Sequence, residues 1–409
     1  MNSSLLILLS LISIGFGIYY YLALRPGSKS SLRESYSEGL DLLVSGQRKE
    51  AYQHFKSIVQ HDSNNIKAYL KLGQVIREGG NPSHALKLHK NLRIRSKLST
   101  FEKIELHKNL SLDYTALNKL TKAIKEVEKI LTINRTNEWA LSHLIDLYKK
   151  QEDWEKASDF LHQYQQITET QDSHLVALYK LQQGRVALKN KEFSKSRQMF
   201  EKCLEIDINL YTSYLFLGNS FADESEISYK MAIEIDEKEF QTPDEKQNYS
   251  EYVNNAKQQL SRAIPMWIKF SEYEPKQSWL VLPKIKDALF ALNRFNEIEE
   301  VLKEILKRDT DNVDALSSLA DFYNQKGAKE KAIGMIESAI EKQPNSLIAN
   351  AIRLKLSSYK GDINQIRKDC DNLIDLFMKD VYHFSNAHLV NDDIDWLDKN
   401  SPEGTSIKV

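Results

Sequence analysis

Apolar residues recur in steps of three and four from about residue 35 to residue 380. That spacing marks one face of an α-helix. In "NVDALSSLADFYNQKGAKEKAIGMIESAIEKQPNS" one apolar stripe runs into a Gly-containing break, a second stripe follows, and Pro344 closes the unit. Similar stripe–break–stripe units fill the rest of the region. The pattern predicts an all-α chain of short paired helices. Two stretches depart from it. Leu5–Leu24 runs without a charge, and Val381–Val409 is rich in Asp and Asn and has no helical stripe.

The paired helices repeat with the tetratricopeptide period of 34 residues, in which small residues stand where two helices cross closely. Ala320, Tyr323, Gly327, Ala332, Ala339 and Pro344 fall in that register. Gly39, Gly46, Ala51 and Phe55 open an earlier copy, and Gly73, Gly80 and Ala85 repeat its small residues 34 positions later. Ala123 to Ala157, Gly184 to Gly218, and Ile298 to Ala332 to Ile366 take the same step. Extra residues enter before Ala123 and before Ser196. The copy at Gly218 reads as shortened, because "ADESEISYKMAIEID" lacks a turn. Residues 238–278 fit least well, and a helix capped near Thr242-Pro243 reads there as an irregular joint. The predicted organisation is therefore a transmembrane anchor over 1–25 and repeats over 35–237. The joint over 238–278 follows, then repeats over 279–380 and a non-helical tail over 381–409. The expected fold is a tetratricopeptide superhelical solenoid.

The apolar run from residue 5 to residue 24 is about 30 Å long as a helix, the thickness of a bilayer core. Tyr19, Tyr20 and Tyr21 suit the interface, and Arg25, Lys29 and Arg33 follow directly. Positive charge after the span places the remainder of the chain in the cytosol. No basic residue precedes the run and no small-x-small cleavage site follows it, so an uncleaved anchor is favoured over a signal peptide. An anchor of opposite orientation, with a periplasmic array, is the alternative.

A formal net charge of −1 gives no basic field for nucleic acid. The two cysteines, Cys203 and Cys370, cannot form a four-thiolate zinc site. No phosphate loop, dinucleotide fingerprint, zinc-protease motif or nucleophile elbow is present. The acidic "DDIDWLD" lacks the Gly and the bidentate Glu of a calcium loop. No catalytic residue, metal ligand or cofactor site is expected, and the chain reads as a binding scaffold rather than an enzyme. Partner-binding candidates are first-helix residues that face a concave groove: Lys67, Gln74, Arg77, Lys149, Lys150, Arg185 and Lys189. Several are basic and would suit an acidic segment. The chaperone-type carboxylate clamp is absent; Asn219 occupies one suitable position without its basic partners.

"LKLGQVIREGGNPSHALKLHKNL", with Leu72-Gly73, Arg77, Gly80, Ala85 and the "LHKNL" around His89, resembles the lipopolysaccharide assembly protein B family. Asp113 and Tyr114 in "SLDYTALNKLTKAIKEVEKIL" continue the likeness, and so does an anchor directly before the first repeat. The resemblance is good over 1–165, fair over 166–225 and 279–380, and poor over 226–278. It implies an inner-membrane adaptor with cytosolic repeats, which brings the committed deacetylase of lipid A synthesis (LpxC) to the membrane protease FtsH. It adds His89 to the partner-binding candidates. Standing where repeats usually carry an apolar residue, His89 also reads as a packed core histidine.

Members of that family carry a C-terminal zinc ribbon with two C-x-x-C pairs. Laid on this chain, the pairs fall on Phe384 and Ala387 and on Asp398 and Ser401, and the ribbon's Trp falls on Trp396. The overlay implies a ribbon remnant without its ligands, in which zinc binding is not expected. A general envelope- or secretion-assembly scaffold is the alternative function.

Overall fold

The computed structural model describes Ile14, Tyr19 and residues 28–94, 98–238 and 242–379. Apart from Ile14 and Tyr19, the expected anchor lies outside these residues, and so does the whole tail with its ribbon overlay. Among the described residues there is no strand, and no helix is long and apolar enough to cross a membrane. The chain divides into two compact units, Met1–Thr170 and Gln171–Val409. The boundary is not at 238–278, where a joint between two lobes was expected; that stretch lies within the second unit.

The first unit contains α1 (Ser28–Val44), α2 (Arg48–His61), α3 (Ile66–Glu78), α4 (Pro82–Ile94), α5 (Thr100–Ala116), α6 (Leu120–Ile133), α7 (Glu138–Lys150) and α8 (Trp154–Thr168). Successive helices pack as pairs, and each second helix also packs on the first helix of the next pair. The second unit contains α9 (Ser173–Lys189), α10 (Phe193–Ile206), α11 (Thr212–Asp236) and α12 (Pro243–Tyr273). After a 3-10 turn over Pro275–Leu280 come α13 (Leu282–Ala291), α14 (Glu297–Arg308), α15 (Val313–Gln325), α16 (Lys329–Lys342), α17 (Leu347–Lys360) and α18 (Ile363–Lys379).

Three local devices recur through the pairs. An Asn, Asp or Ser caps many of the first helices: Asn65 accepts from Ala68 N, Asn137 from Ala140 N, and Asn312 from Ala315 N. Such caps satisfy an orphan N–H and are each worth about 1 kcal/mol. A left-handed residue then reverses the chain between the two helices, Gly80 at φ 87° in one pair and Lys191 at φ 62° in another. Finally, a small residue in the first helix receives a large one from the second. A Cβ on Gly39 would meet Phe55 at 3.0 Å, one on Gly73 would meet His89 at 2.1 Å, and one on Gly184 would meet Phe200 at 2.4 Å. The crossing residues Ala51, Ala85, Ala123, Ala157, Ser196 and Ala332 are fully buried.

The pair expected to be shortened is instead elongated. At the position where other pairs turn, Ser225 stays within α11, and its hydroxyl donates to Ala256 O of α12 at 2.7 Å. Helix α11 therefore runs for 25 residues and α12 for 31. Thr242 and Glu245 close a capping box that starts α12, Pro243 stands in its first turn, and Lys238 reaches Glu245 across the hairpin tip at 2.5 Å. That ammonium bond, aided by bonds from Thr242, holds the Glu245 carboxyl down at about 2. Farther along, Ala263 and Trp267 take the places held by Ser196 and Phe200 one pair earlier. A Cβ on Gly218 would meet the Trp267 indole at 2.4 Å. Helix α12 is thus the second helix of a tetratricopeptide-like pair whose hairpin has grown. Pro265 lies inside α12; burial of Ala263, Ile264, Trp267 and Phe270 offsets its missing N–H.

Candidate functional site

In the second unit α13, α15 and α17 stand side by side and, with Ile298, Val301 and Leu302 of α14, enclose a cleft of about 170 Å³. Helix α15 contributes Asp314, Ser318, Asp321 and Gln325, spaced by four, three and four residues and therefore on one helical face. Trp279, Leu282 and Ile285 form one wall, and Ile348 and Ile352 of α17 form the other. The mouth is apolar: Trp279 is 43% and Ile348 40% exposed.

Asp321 ties the three helices together. Lys286 of α13 donates to its Oδ2 at 3.1 Å and Lys355 of α17 to its Oδ1 at 2.5 Å, while Gln325 donates to Oδ2 at 2.9 Å. Burial alone would raise this carboxyl, but the two ammonium bonds outweigh it and hold it below the usual carboxylate range. Asp314, two turns earlier on the same face, is different. Burial pushes its carboxyl up, and among the described residues no Lys or Arg pairs with it. One cleft therefore holds a neutralised carboxylate and an uncompensated one.

The first unit brings Arg77 and His89 together through Asp113. Arg77 Nη1 donates to Asp113 Oδ1 at 2.9 Å and His89 Nδ1 to Oδ2 at 2.5 Å, and His89 Nε2 faces Leu70 O at 3.3 Å. His89 and Asp113 are fully buried, and the Arg77 side chain is 11% exposed. These residues link α3, α4 and α5, so the placement of Arg77 and His89 on an open groove is corrected. Each faces a buried carboxylate because an isolated Asp113 could not be taken out of water.

The remaining candidates are scattered. Lys67 is exposed at the start of α3, and Gln74 donates to Glu78 at 2.9 Å on the same helix. Lys149 is half-buried and Lys150 exposed at the end of α7. Arg185, in the second unit, is not a groove arm: it is buried, its guanidinium lies 5.0 Å from the Phe216 ring centre, and it donates to Gln182. Lys189 is exposed at the end of α9.

Sequence reasoning missed the α15 face and Trp139–His143 on α7. The Trp139 and His143 rings stack 4.7 Å apart, and Lys108 lies 4.8 Å from the Trp139 ring centre. Burial pushes the His143 imidazole down; Lys150 and Lys108 push the same way against Asp146. The signal for both faces was their periodicity, since Asp314, Ser318, Asp321 and Gln325 are polar positions of the best-matching repeat copy. A search for basic residues passes over them.

The tetratricopeptide repeat family profile matches residues 289–354, which span this cleft in part. Among curated proteins, lipopolysaccharide assembly protein B of Escherichia coli (strain K12) is 21% identical over 203 residues, 50% of this chain and 52% of that protein. The Haemophilus influenzae protein of the same name is 23% identical over 247 residues, 56% of this chain and 61% of that protein. The chain thus spans little more than half the length of the curated relatives it matches. Among solved structures, a tetratricopeptide repeat protein from Parabacteroides merdae is similar over 80% of this chain and 99% of its own, at 14% identity and a TM-score of 0.33. The C-terminal part of a repeat-containing protein from Cytophaga hutchinsonii covers 69% of this chain and 99% of its own, at 16% identity and a TM-score of 0.37. The described residues form a helical array with tetratricopeptide-like pairing, residues 289–354 match the tetratricopeptide repeat profile, and the chain is similar to lipopolysaccharide assembly protein B.

Proposed function

We propose that this chain is a non-catalytic tetratricopeptide scaffold that acts in lipopolysaccharide assembly by holding a segment of a partner protein. The observation that carries the reading is the α13–α15–α17 cleft. Its walls are apolar, Asp321 fixes their spacing, and it opens beside the half-exposed Trp279 and Ile348. Apolar surface left at the mouth of a rigid cleft gains by being covered.

In the finer form of the proposal, residues 5–24 anchor the chain in the inner membrane with the repeats in the cytosol. The scaffold presents the deacetylase LpxC to the protease FtsH, which limits lipid A synthesis. Lys67, Gln74, Lys149, Lys150 and Lys189 remain candidates for further partner contacts. The chain has two cysteines in all, neither of them after Cys370. Phe384, Ala387, Asp398 and Ser401 stand where the resemblance implies the four cysteines of the ribbon. That observation favours a second reading, a general envelope- or secretion-assembly scaffold on the same fold.

Affinity purification of the full chain, with Ile352→Glu as the cleft-blocked control, separates the two. Capture of the protease and deacetylase by the parent but not by I352E, with deacetylase accumulating on depletion, supports the adaptor. Unchanged deacetylase turnover, with structural envelope proteins captured instead, sinks it in favour of the general scaffold.

A further inference from the structure

The charges in the cleft of the second unit do not balance locally. Lys286 and Lys355 both donate to Asp321, which leaves Asp314 facing the cleft without a cation of its own. A half-buried carboxylate against Leu and Ile walls loses solvation that no internal donor returns. Nor is it remote from the aromatic side of the mouth. Asn312, two residues before it, donates to Ser278 Oγ at 2.8 Å, and Ser278 is the neighbour of Trp279. Trp279 and Asp314 therefore stand at the same end of the cleft, and among the described residues no cation lies over the Trp279 ring.

We propose that the cleft takes a partner segment carrying an apolar anchor and a nearby arginine, with the guanidinium pairing Asp314 and lying against Trp279. The apolar anchor seats between Ile285, Ile348 and Ile352. Arginine suits the position better than lysine, because one planar group can bond a carboxylate and stack on an indole together. The required partner charge is the opposite of the one expected from the basic first-helix residues. This inference rests on the binding role proposed for the cleft.

The test uses fluorescence anisotropy of the full chain with labelled dodecapeptides. All share a Leu-Phe anchor and carry Arg, Lys, Ala or Glu two, three or four residues away. The expected order is Arg, Lys, Ala, then Glu, with the best Arg peptide binding about tenfold tighter than its Ala counterpart. Asp314→Asn should leave Ala-peptide binding in place and remove the Arg preference. Trp279→Leu should bring Arg down to the level of Lys. Asp314→Lys should invert the order towards Glu. If Ala and Glu peptides bind as well as Arg peptides, or D314N retains the preference, the arginine assignment is overturned while the cleft keeps its binding role. Should no peptide bind and I352E behave like the parent, the binding role falls with it.

Discussion

The Cβ that Gly218 lacks would lie 2.4 Å from the indole of Trp267, whose Nε1 donates to Asn219 at 3.3 Å on the next residue. The missing methyl group is what lets α11 and the elongated α12 cross. Trp267 is almost fully buried, so it cannot yield into solvent. Gly218→Ala should therefore destabilise the chain by about 1–3 kcal/mol, the cost of overpacking a filled core. A shift of the urea midpoint read by circular dichroism checks this. In a Trp267→Leu background the added methyl has room, and the two changes together should cost less than their separate effects added.

Asp113 is the keystone of the first unit's polar core, because its two oxygens serve Arg77 and His89 separately. Replacing it by Ala leaves a guanidinium and an imidazole in a nearly closed site. The expected loss is about 3–5 kcal/mol. His89→Phe should be milder, about 1–2 kcal/mol. It installs the residue type that Phe55 and Phe200 supply at the same repeat position, and it leaves the Arg77 pair intact. Equal losses for D113A and H89F in chemical unfolding would show that His89, not the carboxylate, organises the cluster.

How much of this was legible follows from which interactions are local. Ala51, Ala85, Ala123, Ala157, Ser196 and Ala332 were placed by period alone, and all are fully buried crossing points. A fixed distance along the chain sets a fixed helix contact, so periodicity sufficed. The long hairpin escaped it because Ser225 carries no sign that the turn is skipped. Glu152 and Lys191 hold the same turn elsewhere with residues no better suited to positive φ. Arg77 and Arg185 were misread as groove arms because Asp113 and the Phe216 ring, against which they lie, are on other helices, and exposure cannot be inferred from charge. Asp314 and Asp321 occupy equivalent faces of one helix. Asp321 receives lysines from both α13 and α17 and Asp314 receives neither, which no local pattern records.

His143 makes the first unit sensitive to mild acid. Burial holds its folded value below the ordinary 6.5, with Lys150 and Lys108 in support. As pH falls through 6.5 the unfolded chain takes up the proton first, so stability present above 6.5 declines below it. Two-dimensional NMR should give a His143 titration midpoint below 6.5. His143→Gln should flatten the stability profile between about pH 7 and 5. A midpoint above 6.5 would mean that Asp146 outweighs burial at this site.

Asp321 acts in a lower window. Its folded value is depressed below the unfolded 3.8 by the Lys355 and Lys286 bonds, against the upward push of burial. The contribution is therefore complete above about pH 4 and disappears as pH falls through the folded value. Its size is modest, about 1 kcal/mol or less, because both ammonium groups are more than a third exposed and solvent screens them. Lys355→Met removes one of the two bonds and releases α17 from α15. The variant should lose some stability at pH 7 but show a shallower acid limb, since less remains to be lost below pH 4. The same change frees the wall that carries Ile348 and Ile352. Hydrogen exchange at neutral pH should then quicken in α17 while α13 stays protected by the Lys286 bond. Uniform quickening across all three helices would mean that Asp321 fixes the whole cleft rather than one wall.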